Sequence, residues 1–368
     1  MGKARYVMVG GFLGAGKTTA LLRLAERLKA AGRRVGLITN DQSVGLVDTA
    51  LLSAHDLPVE EITGGCFCCR FTSLTDAAER LSKAERPDVF LAEPVGSCTD
   101  LTATVSYPLR RMYGDGYSVA PYSVLVDPVR AERILGLATG KSFSPKVVYI
   151  YLKQLEEADI IVVNKTDILD AARLDRLTAA LRERFPKARV VAMSARDGTN
   201  VAAWADRVAA EELGTGPAME VDYDTYAEGE ALLGWLNLTA AVSADRDFDG
   251  NAYLAALAGD LHRRLAAAGT EVAHLKMTLS PAEGNDLAVV NLVRTDGTPE
   301  ASHRLAEPLA AGELIVNLRA EADPAALRAA AEAALKETAL AAGIQAHIEH
   351  AEAFRPGRPV PTHRLSEG

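Results

Sequence analysis

The sequence predicts an α/β protein whose larger domain has a mainly parallel sheet covered by helices, followed by a smaller C-terminal α+β domain. From residue 5 to about residue 213, short runs of Val, Ile and Leu alternate with amphipathic helical segments. Such apolar strands separated by helices are typical of parallel sheets buried on both faces. After the breaker Gly214-Thr215-Gly216-Pro217 the pattern changes to strand, helix, several strands, helix and strand.

The elements follow from these patterns in chain order. The strands predicted for the larger domain, residues 1–214, are 6–9, 35–38, 89–92, 123–126, 160–163 and 190–193, with a helix at 17–31 that Gly32 ends. The smaller domain, residues 222–354, has predicted strands at 232–242, 272–279, 287–294, 313–318 and 344–348 and helices at 251–268 and 325–342. Residues 355–368 are predicted to be a Pro-rich extended tail, because proline lacks the N–H donor that helices and sheets require.

Composition excludes several classes of protein. The 368 residues are 48% hydrophobic and 24% charged, as in ordinary globular proteins. The net charge of −9 argues against a nucleic-acid partner, which needs a basic face. No apolar run approaches the roughly 20 residues of a membrane span, and the N-terminus lacks a signal-peptide core. Three of the four cysteines are clustered, which is not a disulfide framework, so we expect a reducing cytoplasm.

The run Gly11-Phe12-Leu13-Gly14-Ala15-Gly16-Lys17-Thr18 predicts a phosphate-binding loop. It matches G-x-x-x-x-G-K-[ST] and lies between a strand and a helix, which is the context that the motif requires. Glycines let backbone N–H groups point at phosphate oxygens at the start of the helix. We expect the nucleotide to be contacted by Gly14, Ala15, Gly16 and Thr19. Lys17 is expected to bind the β- and γ-phosphates as a catalytic cation, and Thr18 to bind Mg²⁺.

Asn164-Lys165-Thr166-Asp167 follows a predicted strand and indicates the base that is bound. A carboxylate at Asp167 can accept hydrogen bonds from guanine N1–H and its exocyclic amino group, a donor pair that adenine lacks. Ser194-Ala195 follows the next strand, where the Ala195 N–H can meet guanine O6. The sequence therefore predicts GTP as the nucleotide.

Two further strand ends carry acidic residues. Glu93 begins a Glu-Pro-Val-Gly turn, in which Glu93 is a candidate for Mg²⁺ and the Gly96 N–H is a candidate γ-phosphate contact. Asp41 is a second candidate for Mg²⁺ or its water shell. Either Asp41 or Glu93 can position the attacking water, and the sequence does not choose between them. The alternative for each is an acid that caps a helix.

Cys66, Cys68 and Cys69 lie behind Gly64-Gly65 and predict a site for a soft metal ion. Three thiolates leave one tetrahedral position open, whereas closed structural sites usually have four protein ligands. Cys98 is a candidate fourth thiolate, and the alternative is a small buried apolar residue. The alternative for the triplet is buried thiols or a redox pair.

These motifs, in this order, resemble those of the CobW-type GTPases, relatives of the nickel-chaperone GTPases that serve urease and hydrogenase. The resemblance implies a GTP-hydrolysing metallochaperone that carries a transition metal, Zn²⁺ or a cobalt ion, on the three thiolates. It implies slow hydrolysis that metal or client stimulates, and a client metalloprotein as partner, with a homodimer as a further candidate. Two alternatives stay open, a GTPase chaperone for a cobalamin-dependent or other metalloenzyme and a GTP-switched scaffold with a structural metal.

Overall fold

The computed structural model describes residues 3–40, 57–214 and 216–367. They form two compact units. The first contains the described residues up to Gly229 together with 358–367, and the second contains residues 230–357. The predicted boundary at residue 214 thus lies inside the first unit. Most of the Pro-rich segment predicted as a separate tail also belongs to that unit.

The first unit is built on a parallel sheet with the strand order β3-β2-β4-β1-β6-β7-β8, and β5 also pairs with β1. Every recorded pairing between these strands is parallel. The strands are β1 Ala4–Gly11, β2 Val35–Asn40, β3 Val59–Ile62, β4 Val89–Glu93, β5 Tyr117–Val119, β6 Ser123–Val126, β7 Ile160–Val163 and β8 Arg189–Ala192. The predicted parallel sheet is confirmed.

Helices connect these strands. They are α1 Lys17–Ala30, α2 Phe71–Ala84, α3 Tyr107–Tyr113, α4 Pro128–Ile134, α5 Pro145–Glu156, α6 Ala171–Arg184, α7 Val201–Ala210 and α8 Tyr223–Leu232. A single π-helical turn, Thr102–Ser106, precedes α3. Strands β1, β2 and β4 are buried along almost their whole length, as expected for a sheet covered on both faces.

The second unit is a six-stranded antiparallel sheet in the order β12-β11-β10-β13-β9-β14 with two helices. Its elements are β9 Leu233–Phe248, α9 Gly250–Ala267, β10 Glu271–Pro281, β11 Ala288–Leu292, β12 Glu300–His303, β13 Leu309–Glu321, α10 Pro324–Ala342 and β14 Gln345–Phe354. Leu254, Leu257 and Leu261 of α9 and Leu327 and Leu335 of α10 share one core with the sheet. The predicted α+β character is confirmed.

The sequence analysis missed β3, β5 and β12 and shortened β9, β13 and β14. Strand β3 is only four residues long, with three of them partly exposed, and all four residues of the edge strand β12 are exposed, so neither has an apolar run. Strand β9 continues past its buried half into exposed polar residues that pair with β13. Among the described residues, no helix has both the length and the apolar character needed to cross a membrane.

Candidate functional site

The phosphate-binding motif forms the loop between β1 and α1. Gly14 and Gly16 have φ angles of 78° and 91°, in the left-handed region that favours glycine. A Cβ atom on Gly16 would lie 2.5 Å from the side-chain nitrogen of Asn164. Gly16 is the N-cap residue of α1. Because glycine has no side chain, it makes no capping hydrogen bond to the first N–H groups of the helix.

Lys17, Thr18 and Glu93 come together at the start of α1 and the end of β4. The Lys17 ammonium donates to the carbonyl oxygen of Gly11 at 3.1 Å and lies 3.8 Å from Glu93 Oε1. The Thr18 hydroxyl donates to the same carboxylate oxygen at 3.2 Å. All three residues are buried. A hydroxyl and a carboxylate are the oxygen ligands that Mg²⁺ prefers, so this pair fits the ion.

The turn after β4 lies against the loop. A Cβ atom on Gly96 would lie 3.0 Å from the Leu13 backbone nitrogen, so a larger residue would crowd the loop here. Gln154 donates to the carbonyl oxygens of Gly96 and Cys98 at 2.9 and 2.8 Å and holds the turn. Thr19, in contrast, lies on the exposed side of α1.

Asn164 joins the loop to the segment after β8. Its side-chain nitrogen donates to the Ala15 carbonyl oxygen at 2.8 Å, and its oxygen accepts from the Ala195 N–H at 3.0 Å. The N–H predicted to meet guanine O6 therefore has a protein partner here. Lys165, with a φ of 58°, donates to the Gly14 carbonyl oxygen at 2.7 Å.

Asp167 and Ser194 also come together. The Ser194 hydroxyl donates to the Asp167 carboxylate at 2.8 Å. The Arg196 guanidinium lies 3.6 Å from the other carboxylate oxygen. The side chains predicted to bind the base thus lie at the carboxyl ends of β7 and β8, which pair as neighbours.

The cysteines lie in a turn that Asn40 holds to the end of β2. The buried Asn40 amide donates to the carbonyl oxygens of Ile62 and Gly65 at 3.0 and 2.7 Å, and its oxygen accepts from the Phe67 N–H at 2.8 Å. The turn closes where the Arg70 N–H donates to the Cys66 carbonyl oxygen at 2.9 Å. Because β2 pairs with β4, this anchor lies one strand away from Glu93.

The three thiols lie within reach of a single ion. The sulfur of Cys66 is 2.6 Å from that of Cys68 and 3.2 Å from that of Cys69, and the third separation is 3.7 Å. Among the described residues, no other group of three or more His, Cys, Asp or Glu side chains has such proximity. Soft thiolates in this number fit Zn²⁺ with an open coordination position.

The thiols perturb one another. Hydrogen bonds from Cys68, then from Cys69, hold the pKa of the Cys66 thiol well below its usual value. The hydrogen bond to Cys66 raises the pKa of Cys68 well above its usual value and that of Cys69 to about 11. The cluster therefore favours a first thiolate at Cys66. The buried Cys98 thiol also interacts with that of Cys66.

Several residues of the site were missed by the sequence analysis. Asp127 follows β6 and forms an ion pair of 2.9 Å with Lys165. Arg130 donates to the Leu13 carbonyl oxygen at 2.6 Å and stacks on Phe12. Asp127 could have been predicted, because it is an acidic residue directly after a predicted parallel strand. The residues around Arg130 in the sequence give no such indication. Asp41, predicted for Mg²⁺ or the attacking water, lies outside the described residues.

The chain is similar to several known proteins. Residues 5–192 match the family described as CobW/HypB/UreG, nucleotide-binding domain. The chain is 29% identical over 192 residues to the zinc chaperone CobW of Sinorhizobium sp, covering 47% of this chain and 54% of the relative. It is 31% identical over 164 residues to the zinc chaperone YeiR of Escherichia coli strain K12, covering 44% and 46%.

These matches span about half the length of each curated relative. Among solved structures, the Zn(II)-bound YjiA GTPase from E. coli aligns with 90% of this chain and 99% of its own at 15% identity, with a TM-score of 0.39.

Proposed function

Because the chain belongs to the CobW/HypB/UreG family, we propose that it is a GTP-hydrolysing metallochaperone that carries a transition metal on Cys66, Cys68 and Cys69. The observation that carries the proposal is the thiol triad, whose sulfurs lie 2.6 to 3.7 Å apart in the unit that also contains the phosphate-binding loop. The names of the curated relatives favour Zn²⁺ as the cargo.

The nucleotide is proposed to be GTP. The proposed contacts come from the phosphate-binding loop, the turn after β4 and the ends of β7 and β8: Gly14, Ala15, Gly16, Lys17, Thr18, Thr19, Gly96, Asn164, Lys165, Asp167, Ser194 and Ala195. Lys17 offsets negative charge on the phosphates. Asp167 selects guanine through the two donors that adenine lacks, once the base replaces the Ser194 hydroxyl as its partner.

Mg²⁺ would be held by Thr18 and Glu93, with Asp41 as a further proposed ligand. When bound, the ion neutralises phosphate charge during GTP hydrolysis. Glu93 or Asp41 orients the water. The Glu93 carboxylate already accepts from Thr18, so it is fixed in position beside the loop.

Metal and nucleotide are proposed to be coupled through neighbouring strands. Asn40 at the end of β2 holds the cysteine turn, and Glu93 at the end of the paired strand β4 contacts Thr18. If loss of the γ-phosphate moves the end of β2 or β4, these hydrogen bonds transmit the movement to the turn that carries the thiols. Coupling between two sites is reciprocal, so metal also changes GTP affinity. Delivery to a client protein completes the proposed function.

The test is metal affinity measured by competition with a chromophoric chelator, in the presence of GDP or a non-hydrolysable GTP analogue. Zn²⁺ and Co²⁺ are titrated into the wild type, into a C66S/C68S/C69S variant and into Cys98→Ser, which tests the candidate fourth thiolate. The proposal expects loss of binding in the triple variant and a tenfold or larger difference between nucleotides, about 1.4 kcal/mol of coupling.

Equal affinity with both nucleotides would instead support a scaffold with a structural metal. In that case removal of the metal unfolds the protein. A tenfold or larger loss of affinity in Cys98→Ser would make Cys98 the fourth thiolate.

A further inference from the structure

Residues 358–365, here called the cover segment, contact the cysteine turn directly. The Thr362 N–H donates to the Cys68 carbonyl oxygen at 2.8 Å, and the Thr362 hydroxyl donates to that of Cys69 at 3.1 Å. The Val360 N–H donates to the Cys69 sulfur at 3.3 Å. Both partners belong to the first unit. The segment therefore reaches a sulfur of the thiol triad as well as the backbone that presents it.

The far end of the cover segment is anchored at the end of the loop that follows β4. The Arg364 guanidinium donates to the Asp100 carboxylate at 2.8 Å, and the Tyr223 hydroxyl donates to the same oxygen at 2.6 Å. The Asp100 side chain is only 1% exposed, so this ion pair is shielded from solvent on one side. Asp100 also has a φ of 64°, which L-residues seldom adopt.

Neighbouring residues in the middle of the segment differ in burial, and Pro359 is buried. The Val360 side chain is 70% exposed. A cavity of about 280 Å³ is lined by Tyr223, Arg358, Pro359, Val360, Pro361 and Arg364. Pro359 and Pro361 on either side of Val360 restrict the backbone, so the Val360 N–H is held towards Cys69 at a small cost in entropy.

A hydrogen bond from an N–H group to a metal-bound thiolate withdraws charge from the sulfur and fixes its direction. Groups that support metal ligands in this way change metal affinity by roughly 10–100-fold when they are removed. The Val360 N–H donates such a hydrogen bond to the sulfur of Cys69, the least buried of the three cysteines. A cover over that sulfur also limits approach from solvent.

We propose that the cover segment is part of the metal site: the Val360 N–H supports the Cys69 sulfur, and the Arg364–Asp100 ion pair keeps the segment over the thiols. The proposal rests on the proposed function of the triad as the metal site. Val360 and Arg364 act as positioning residues, and a protein that accepts the metal through Cys69 has to displace them. The loop that follows β4 runs from Glu93, beside the phosphate-binding loop, to Asp100, so it connects the cover segment to the proposed nucleotide site.

The first experiment compares Val360→Pro, which removes the N–H, with Val360→Ala, which keeps it. Both change an exposed side chain, so the difference between them reports on the hydrogen bond. We expect Zn²⁺ affinity in chelator competition to fall about tenfold in Val360→Pro and to stay within about twofold of the wild type in Val360→Ala. With Co²⁺, the thiolate-to-metal charge-transfer band should move to lower energy only in Val360→Pro.

The second experiment needs no metal. The rate at which iodoacetamide alkylates Cys69 is measured by mass spectrometry in Arg364→Ala and in Arg27→Ala, whose exposed ion pair with Asp206 lies elsewhere in the same unit. We expect at least fivefold faster alkylation in Arg364→Ala alone, with Arg364→Lys in between. Equal rates in Arg364→Ala and the wild type, or equal Zn²⁺ affinities in the two Val360 variants, would overturn the proposal.

The two proposals fail in different ways. If the C66S/C68S/C69S variant keeps wild-type Zn²⁺ affinity, the triad is not the metal site and the proposed function is wrong. The alkylation rate of Cys69 in the metal-free protein still reports whether the segment covers that thiol.

Discussion

Replacing Asn40 by Ala should disturb the metal site without touching a cysteine. The Asn40 side chain satisfies the Ile62 carbonyl group at the end of β3 and the Gly65 carbonyl group and Phe67 N–H of the cysteine turn, with distances of 2.7 to 3.0 Å. A buried polar group left without a partner costs about 1–3 kcal/mol. One of the three contacts is partly open to water, so we expect a loss of about 2–4 kcal/mol in the free energy of unfolding.

Urea unfolding and Zn²⁺ competition should be run on the same variants. Asn40→Ala should weaken Zn²⁺ binding by about 10–100-fold, because the turn no longer fixes the directions of the sulfurs. Asn40→Asp should be at least as damaging as Asn40→Ala, because it keeps an acceptor for the Phe67 N–H but places a buried carboxylate oxygen against the Ile62 and Gly65 carbonyl oxygens. Asn291→Ala, which removes an exposed hydrogen bond to Ser302, is the control. An Asn40→Ala protein with wild-type stability and Zn²⁺ affinity would refute the assignment of Asn40 as the anchor.

Three further predictions concern other parts of the chain. Burial raises the pKa of Glu157 from 4.5 to about 8, so the folded state holds an extra proton and stability falls as the pH rises through this range. In the wild type the free energy of unfolding should fall between pH 5 and pH 9 by at most about 5 kcal/mol, and in Glu157→Gln this fall should disappear from the denaturation curves. A variant with the same pH dependence as the wild type would contradict the stated cause. Gly16→Ala should weaken GTP binding at least tenfold in a fluorescent-nucleotide titration, because the new Cβ would lie 2.5 Å from the Asn164 amide; wild-type affinity would show that the loop relaxes freely. Asp249→Ala should lower stability by about 1 kcal/mol in urea, because it removes the N-cap bond to the Ala252 N–H, and a change below 0.3 kcal/mol would rule out that contribution.

The motifs that depend on local backbone geometry were accessible from the sequence. The phosphate-binding loop requires glycines at fixed spacing after a strand, and Gly14 and Gly16 do adopt left-handed angles there. The cysteine spacing likewise brings the three sulfurs together, because a single turn behind Gly64 and Gly65 is enough to do so. Chain neighbours make these contacts, so a pattern of residue types suffices to predict them.

The parts that join distant segments were not accessible. Nothing near Asn40 in the chain marks it as the anchor of the cysteine turn, since its partners lie 22 to 27 residues away. Asn164 reaches Ala15 across 149 residues. Such pairs exist only because parallel strands bring their carboxyl ends to one edge of the sheet, and the strand order follows from packing of the whole unit rather than from local preference.

The segment after Arg355 shows most clearly which features the sequence predicts and which depend on the tertiary structure. Its prolines predict that neither helix nor sheet forms here, and residues 355–366 have neither, but the sequence by itself determined no more than that. Only the tertiary structure decided where it lies, with Val360 on the Cys69 sulfur and Arg364 on Asp100. The physical reason is that an extended chain has no internal hydrogen bonds to fix its course, so contacts 264 to 291 residues distant in sequence determine it.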